Sequence, residues 1–390
     1  MRAAKASLGR RIFYTMRSEG EGAARESAAI GLGAFIGCLP IFGLHLGACF
    51  VLGWLFGLNR LKMYVAANIS NPFVAPVLLF VELQIGSLLR RGRVHEISVD
   101  AIRAAGLQTL GADLVVGSIV LGALLGVLLA TVTYLLLRGS KADQFFLDLV
   151  RAASERYVTV SITAWEFARG KLRGDPLYRA LVSEGLLPSG NSLLDVGCGS
   201  GLMLALLAEA RTRARSGTWV RDLPAPPLFD RMVGIDIRPR VVRVAREALG
   251  SDAEILEADA RELTPATHDV VLICDVLHLM TFDEQERVID AARRSLTERG
   301  VLVIREADAA GGWRFAAVRI GNQLKALVLR RWRQRFYFRT QPEWSALFAA
   351  HGLAVTALPN GDGTPFASVL FRLTEAPVVS ARDRTPAHAG

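Results

Sequence analysis

The stretch Leu193-Leu194-Asp195-Val196-Gly197-Cys198-Gly199-Ser200-Gly201 constrains this chain more than any other. An apolar run ends in an acid, glycine then takes every second position, and a helix-forming run follows from Leu202 to Ala210. That order reads as strand, tight loop, helix. Glycine lets a loop backbone turn where a Cβ would clash and lets a ligand come close. The free N–H groups that open the following helix carry its positive dipole end, where an anionic or polar ligand group can dock. The nicotinamide and flavin fingerprint needs glycine or alanine at the sixth position from Gly197; Leu202 stands there, so that fingerprint fails.

The chain has 390 residues, enough for two or three domains. Its net charge of +9 suits an anionic partner: lipid headgroups, nucleic acid, or an acidic carrier or substrate. Hydrophobic residues make up 51%, high for a soluble enzyme. Cys38, Cys49, Cys198 and Cys274 form neither a disulfide framework nor a zinc spacing, so no metal site is read and a reducing compartment fits.

The apolar excess sits in the first third. Residues 1–26 are polar and basic, without the layout of a cleaved signal. From Ser27 to Asn59 no residue is formally charged; Pro40 breaks the run, which reads as a helical hairpin. Met63 to Val81 is a second uncharged run, and Leu114 to Leu137 is the cleanest span, ~36 Å long as a helix. Glycines four apart (33/37, 43/47, 53/57, 122/126) would let membrane helices approach closely. His45, Asn68, Asn71 and Glu82 fall at or near membrane depth, as functional groups or as hydrogen-bond partners of neighbouring helices. The run Gly31 to Gly43, with Asn59 and Ile69-Ser70-Asn71-Pro72, resembles a small bacterial membrane-domain family of unknown function over about residues 10–140. Basic residues flank nearly every segment, so the positive-inside rule chooses no side.

Beyond Lys141 the chain turns amphipathic, with Phe145, Phe146, Leu149 and Val150 at helical spacing. Gly170 to Pro176 punctuates, and Lys171 and Arg173 read as a solvated turn or as substrate contacts. After the glycine loop, strand and helix signals alternate, the mark of a parallel α/β sheet. Met232 to Ile235 ends in Asp236; Ile255 leads to Asp259-Ala260; His268 to Cys274 runs into Asp275 and His278; Gly300 to Glu306 is the fifth strand. Leu353 to Leu358 and Ala367 to Leu373 form a closing antiparallel pair. Arg211 to Asp230 reads as an insertion that stretches the first-to-second acid spacing to about twice the usual ~20 residues.

Acid-x-Gly-x-Gly-x-Gly with these later stations resembles the class I S-adenosylmethionine (SAM) dependent methyltransferases, over about residues 141–375. The expected architecture is a helical transmembrane domain (1–140), amphipathic helices (141–190), a Rossmann-like α/β methyltransferase domain with a mostly parallel sheet and C-terminal antiparallel hairpin (191–375), and a disordered tail (376–390). The resemblance implies SAM as cofactor, bound by Asp195, Gly197, Gly199, Gly201, Asp236, Ile237, Asp259, Ala260 and Asp275. Asp236 would accept the ribose hydroxyls and Asp259 the adenine amino group. SAM is made in the cytosol, so a multi-pass protein of the bacterial inner membrane with its methyltransferase domain in the cytosol follows.

The Asn/Asp-Pro-Pro-aromatic motif of amine methyltransferases is missing after the fourth strand, which favours oxygen. His278 is the candidate base for a hydroxyl or carboxyl acceptor, against a purely structural role capping a helix or packing under the cofactor. Between Asp308 and Glu343 there is no acid but eight basic residues, interleaved with aromatics. This stretch reads first as a membrane surface or a site for a lipid-like anion, then as a solvated face, and last as an RNA surface. The expected partners are membrane lipids and a small hydrophobic, polyketide-like, lipid- or carrier-linked acceptor. The rival readings are a membrane scaffold whose domain binds SAM without turnover, and an RNA methyltransferase.

Overall fold

The computed structural model describes residues 7–41, 43–94, 107–263, 266–328, 331 and 333–376. The expected tail beyond Ala376, and Arg330 and Trp332 of the basic stretch, lie outside the described residues. The chain divides into two compact units, Ser7–Gln144 and the part from Phe145 onward.

The first unit is helical. The uncharged run from Ser27 is two helices, Ala23–Cys38 and His45–Phe56. The break falls at Leu39, which is extended because the ring of Pro40 excludes the helical region from the residue before it. Neither helix reaches the ~20 residues that a span needs. The second run is also broken: Arg60–Ser70 and Ala75–Arg91 meet at 78° and only together pass as one apolar segment. Leu107–Leu137 is a single helix. Its apolar portion, Gln108–Leu137, is the one helix among the described residues long and apolar enough to cross a bilayer by itself. The multi-pass reading expected from sequence therefore has one such helix among the described residues, or two if the bent pair is one span.

Small residues do bring these helices together, selectively. A Cβ on Gly33 or Gly37 would strike the carbonyls of Met63 or Ala67, at 2.3 and 2.4 Å. Gly126 lies against Gly31, while Gly43, Gly47 and Gly57 of the expected pairs have nothing within 4 Å. The polar groups serve local structure. His45 Nε2 meets the Leu39 carbonyl, Asn68 donates to the Tyr64 carbonyl, and Asn71 accepts the N–H groups of Phe73 and Val74. Asp113 is buried and paired with Arg90 at 2.6 Å.

The second unit is α/β. Its strands are β1 Gly190–Val196, β2 Phe229–Asp236, β3 Glu254–Glu257, β4 His268–Cys274, β5 Leu296–Ala307, β6 Leu353–Pro359 and β7 Ser368–Glu375. They form one sheet in the order β3-β2-β1-β4-β5-β7-β6. The first five run parallel; β7 lies antiparallel to both β5 and β6. Buried Val, Ile and Leu from β1, β2, β4 and β5 build the core, closed at one end by Trp344, Phe348 and Phe371. The insertion before β2 is shorter than expected, because helix Leu202–Arg215 continues through its first residues. The loop that remains is tied by Trp219 Nε1 donating to the Pro224 carbonyl at 2.9 Å.

This topology puts the tips of β1 to β5 at one sheet edge, with the order reversing between β1 and β4. In open α/β sheets that switch point is where ligands bind.

Candidate active site

At the tip of β1 the three loop glycines all have positive φ, 74°, 57° and 73° at Gly197, Gly199 and Gly201, which side chains resist. Two of them are also packed: a Cβ on Gly197 would meet Val276 at 2.3 Å, and one on Gly201 would meet Leu249 at 2.6 Å. At Gly199 only the Arg238 guanidinium comes near, at 3.5 Å. Gly199 is therefore the least crowded of the three. The loop is anchored by Tyr157 Oη, which donates to the Ser200 carbonyl at 2.8 Å.

Asp195 is buried, and its carboxyl takes no hydrogen bond from the described residues. Burial, and then the charge of Asp236, push its carboxyl up to about 7. A buried carboxyl with no donor is the feature expected where a cationic ligand group belongs. Asp236 is also buried but fully engaged. It accepts the Gly199 N–H at 2.9 Å and the Arg238 guanidinium at 2.8 and 2.9 Å. Burial would raise its pKa; the hydrogen bonds and charge of Arg238 outweigh that and hold it low. Asp259 repeats the arrangement: Arg261 folds back on it at 2.6 Å and also reaches Glu284. Ile237 is exposed and Ala260 buried. The acids expected to hold ribose and adenine are thus each covered by the arginine two residues on.

Asp275 is the sole non-glycine residue with positive φ (58°) among the described residues. Such a conformation costs ~1–3 kcal/mol and persists where neighbours enforce it. Here Asp275 donates its N–H to the Arg305 carbonyl, and the Arg305 guanidinium holds its carboxylate. Arg305 is almost wholly buried and also grips Asp175 at 2.9 Å.

Past Asp275 the chain turns over Glu306. One carboxylate oxygen accepts the N–H groups of Val276 at 3.0 Å, Leu277 at 2.7 Å and His278 at 3.3 Å. The other meets His278 Nδ1 at 2.8 Å. Phe338 stacks on the imidazole with centroids 5.2 Å apart. Burial alone would depress the imidazole pKa; the charge and hydrogen bond of Glu306 outweigh it and raise it. His278 and Asp275 line a cavity of about 540 Å³ that also touches Lys171, Arg305, Phe336 and Lys325. The glycine loop, Asp195, Asp236 and Asp259 do not line it. The expected site residues thus split into a loop side and a cavity side, with Arg238 common to both. Burial pushes the thiols of Cys198 and Cys274 up.

Sequence reasoning missed Glu306, Arg305, Asp175 and Arg238. Lys171, read from sequence as part of a solvated turn or as a substrate contact, lies instead in the last turn of helix Ile162–Gly174, on the cavity wall and paired with Asp175 at 2.6 Å. The basic stretch is not one surface either. Arg314 donates to the Gly361 and Thr364 carbonyls, and Arg339 donates to Gln285 and lies over the Phe282 ring. Lys325 and Arg331 line the cavity, leaving Arg319, Arg333 and Arg335 outward.

Residues 194–304 match the family model described as a methyltransferase domain. With this strand order and loop, the second unit is a SAM-dependent methyltransferase domain. Residues 9–144 match the family described as an uncharacterized protein conserved in bacteria (DUF2062), so the chain joins that domain to a methyltransferase. Among curated proteins none matches. Of solved structures, the mitomycin 7-O-methyltransferase MmcR is similar at 18% identity and TM-score 0.41, covering 90% of this chain and 94% of that one. Magnesium protoporphyrin IX methyltransferase (ChlM) from Synechocystis PCC 6803, with bound SAH, is similar at 16% identity and TM-score 0.35, covering 59% and 86%. These likenesses are distant, and the assignment stands on the domain match and the strand order.

Proposed function

We propose that this chain is a membrane-anchored SAM-dependent methyltransferase that methylates an oxygen of a small hydrophobic or lipid-linked acceptor. The observation that carries the oxygen assignment is the His278–Glu306 dyad on the cavity wall. With Nδ1–H donating to Glu306, the lone pair of Nε2 is left free to take a proton from an acceptor hydroxyl. Glu306 is fixed by three backbone N–H groups, so it holds the ring in one tautomer and orientation. Phe338 packs one face of the ring.

SAM supplies an electrophilic methyl group on a sulfonium. The residues present fit it. Asp195 offers a buried, donor-free carboxyl to a cationic group, and the open side of Gly199 lets backbone approach the ligand. Asp236 and Asp259 would take the ribose and adenine once Arg238 and Arg261 move aside. Gly197, Gly201, Ile237, Ala260 and Asp275 shape the surrounding loops.

Anchoring is supported by the apolar helix Gln108–Leu137 and by the helix Gly312–Val328. On the latter, Val318, Asn322 and Lys325 face the cavity, while Ile320, Leu324 and Leu327 form an exposed apolar stripe on the other side. That division suits a lid whose outer face meets the lipid of the cytosolic leaflet.

The test uses the full chain, labelled SAM and a bacterial lipid extract. Methyl label should enter an alkali-sensitive ester or an ether in the extract. His278→Ala should lower turnover by ~10²–10⁴ while leaving affinity for S-adenosylhomocysteine (SAH) within about twofold. An unchanged rate returns His278 to a structural role. A second reading, a domain that binds SAM without turnover, is favoured by one observation: Arg238 and Arg261 cover the two acids.

A further inference from the structure

The charges around the cavity do not balance. Its acids are Asp175, Asp275 and Glu306, each held: Asp175 by Lys171 and Arg305, Asp275 by Arg305, Glu306 by His278 and backbone. Its cations are Lys171, Arg238, Arg305, Lys325 and Arg331. Arg238 is answered from just outside by Asp236 at 2.8 Å. Lys325 and Arg331 have no such contact: among the described residues neither side chain has a hydrogen-bond or ion-pair partner, and Asp275 acts on Lys325 only through space.

These two come from the lid helix and the turn after it, and both remain accessible, as ligand-binding groups must. Lys325 is the third member of a cavity-facing row with Val318 and Asn322, so it lines the cavity while part of it stays open to solvent. Burial, and then the positive charges of Arg238 and Lys171, hold its ammonium below the ordinary lysine range. Like charges gathered in a partly dry space repel, and an incoming anion relieves that repulsion. The rest of the wall is aromatic: Phe336, Phe338 and Phe366. A purely apolar acceptor would leave both cations unanswered beside it.

We propose that the acceptor of this site is an amphipathic acid, with a carboxylate or phosphate seated between Lys325 and Arg331 and an apolar body against Phe336, Phe338 and Phe366. This rests on the reading of the cavity as the acceptor side of the methyltransferase. It adds that recognition is by charge as well as by apolar contact. Arg331 offers two parallel donors to a carboxylate or phosphate, and Lys325 a point charge.

The experiment titrates the full chain in phosphatidylcholine nanodiscs with a hydroxynaphthoate and with the matching naphthol, by calorimetry, against protein-free discs. The naphthoate should bind at least about tenfold more tightly, a difference of ~1.4 kcal/mol. Lys325→Gln with Arg331→Gln should erase that preference and leave the naphthol affinity within about twofold. Unchanged SAH affinity in the double variant certifies its fold. Equal affinities in the wild type, no binding of either compound, or a preference that survives the double substitution overturns the proposal. Discs containing phosphatidic acid separate the sources: competition with the naphthoate assigns the anion to a lipid headgroup, its absence to a soluble acid, and either keeps the shared chemistry. SAH titrations of the same samples stand apart. Wild type that binds the naphthoate but not SAH sinks the methyltransferase reading of the site and leaves anion recognition standing.

Discussion

Gly199 and Gly197 differ by what a side chain would meet. Gly199→Val meets only Arg238, so its stability cost is the backbone strain of a β-branched residue at a φ of 57°, and it should abolish measurable SAH binding by blocking backbone approach. Gly197→Val collides with Val276 and should lower stability as well. Calorimetry paired with thermal melts separates the two. Asp195, pushed up to about 7, gives affinity a pH dependence. Below that value the carboxyl is neutral, above it charged, so a ligand carrying an ammonium group should bind more tightly from about pH 6 to about pH 8. Stability moves the other way: the folded chain holds this proton longer than the unfolded chain, so stability falls as pH rises from the ordinary carboxyl range to about 7. Asp195→Asn should flatten the affinity profile. For His278 the imidazole pKa is raised, so turnover should climb with pH through a value above the ordinary ~6.5. The charged His278–Glu306 pair contributes its full stability below the ordinary value and loses it as pH rises through the raised one. Glu306→Gln should move the rate profile to lower pH and reduce kcat; an unmoved profile would remove Glu306 from the mechanism.

At the scale of elements, helix Phe282–Arg294 begins with a capping box, Thr281 to Glu284 and back. Thr281→Ala should cost ~0.5–2 kcal/mol in denaturant unfolding and loosen the turn that carries His278. Most elements were legible in the sequence, since apolar runs ending in acids mark buried parallel strands and their tips. So were Asp195, Asp236, Asp259 and His278, which stand at those tips. Glu306 was read only as the end of a strand, although it is the partner of His278, 28 positions away. Arg305 and Asp175 are 130 positions apart, and no local period records such a pair. Pro40 signalled the break in the first apolar run, but the resulting helix lengths depend on caps such as Gly57, with its left-handed φ of 61°.

The whole molecule couples a helical unit to a catalytic one. If Gln108–Leu137 crosses the bilayer, the full chain should stay with membranes through high salt and alkaline carbonate, which strip electrostatic binders. Release by carbonate would reject the anchor. The arginine that covers Asp236 has a consequence for time as well as space. Arg238 touches both the loop side and the cavity, so a cofactor that takes Asp236 for its ribose must push that guanidinium off its carboxylate. The freed charge would then turn toward the cavity that Arg238 already lines, where the proposed acid acceptor is still to come. Bound cofactor would thus favour the acid acceptor without being required for it, and departure of the spent cofactor would let Arg238 fall back and loosen whatever remained. By reciprocity each ligand should tighten the other by the same factor. A single side chain, swinging between two neighbours, would keep the enzyme's clock.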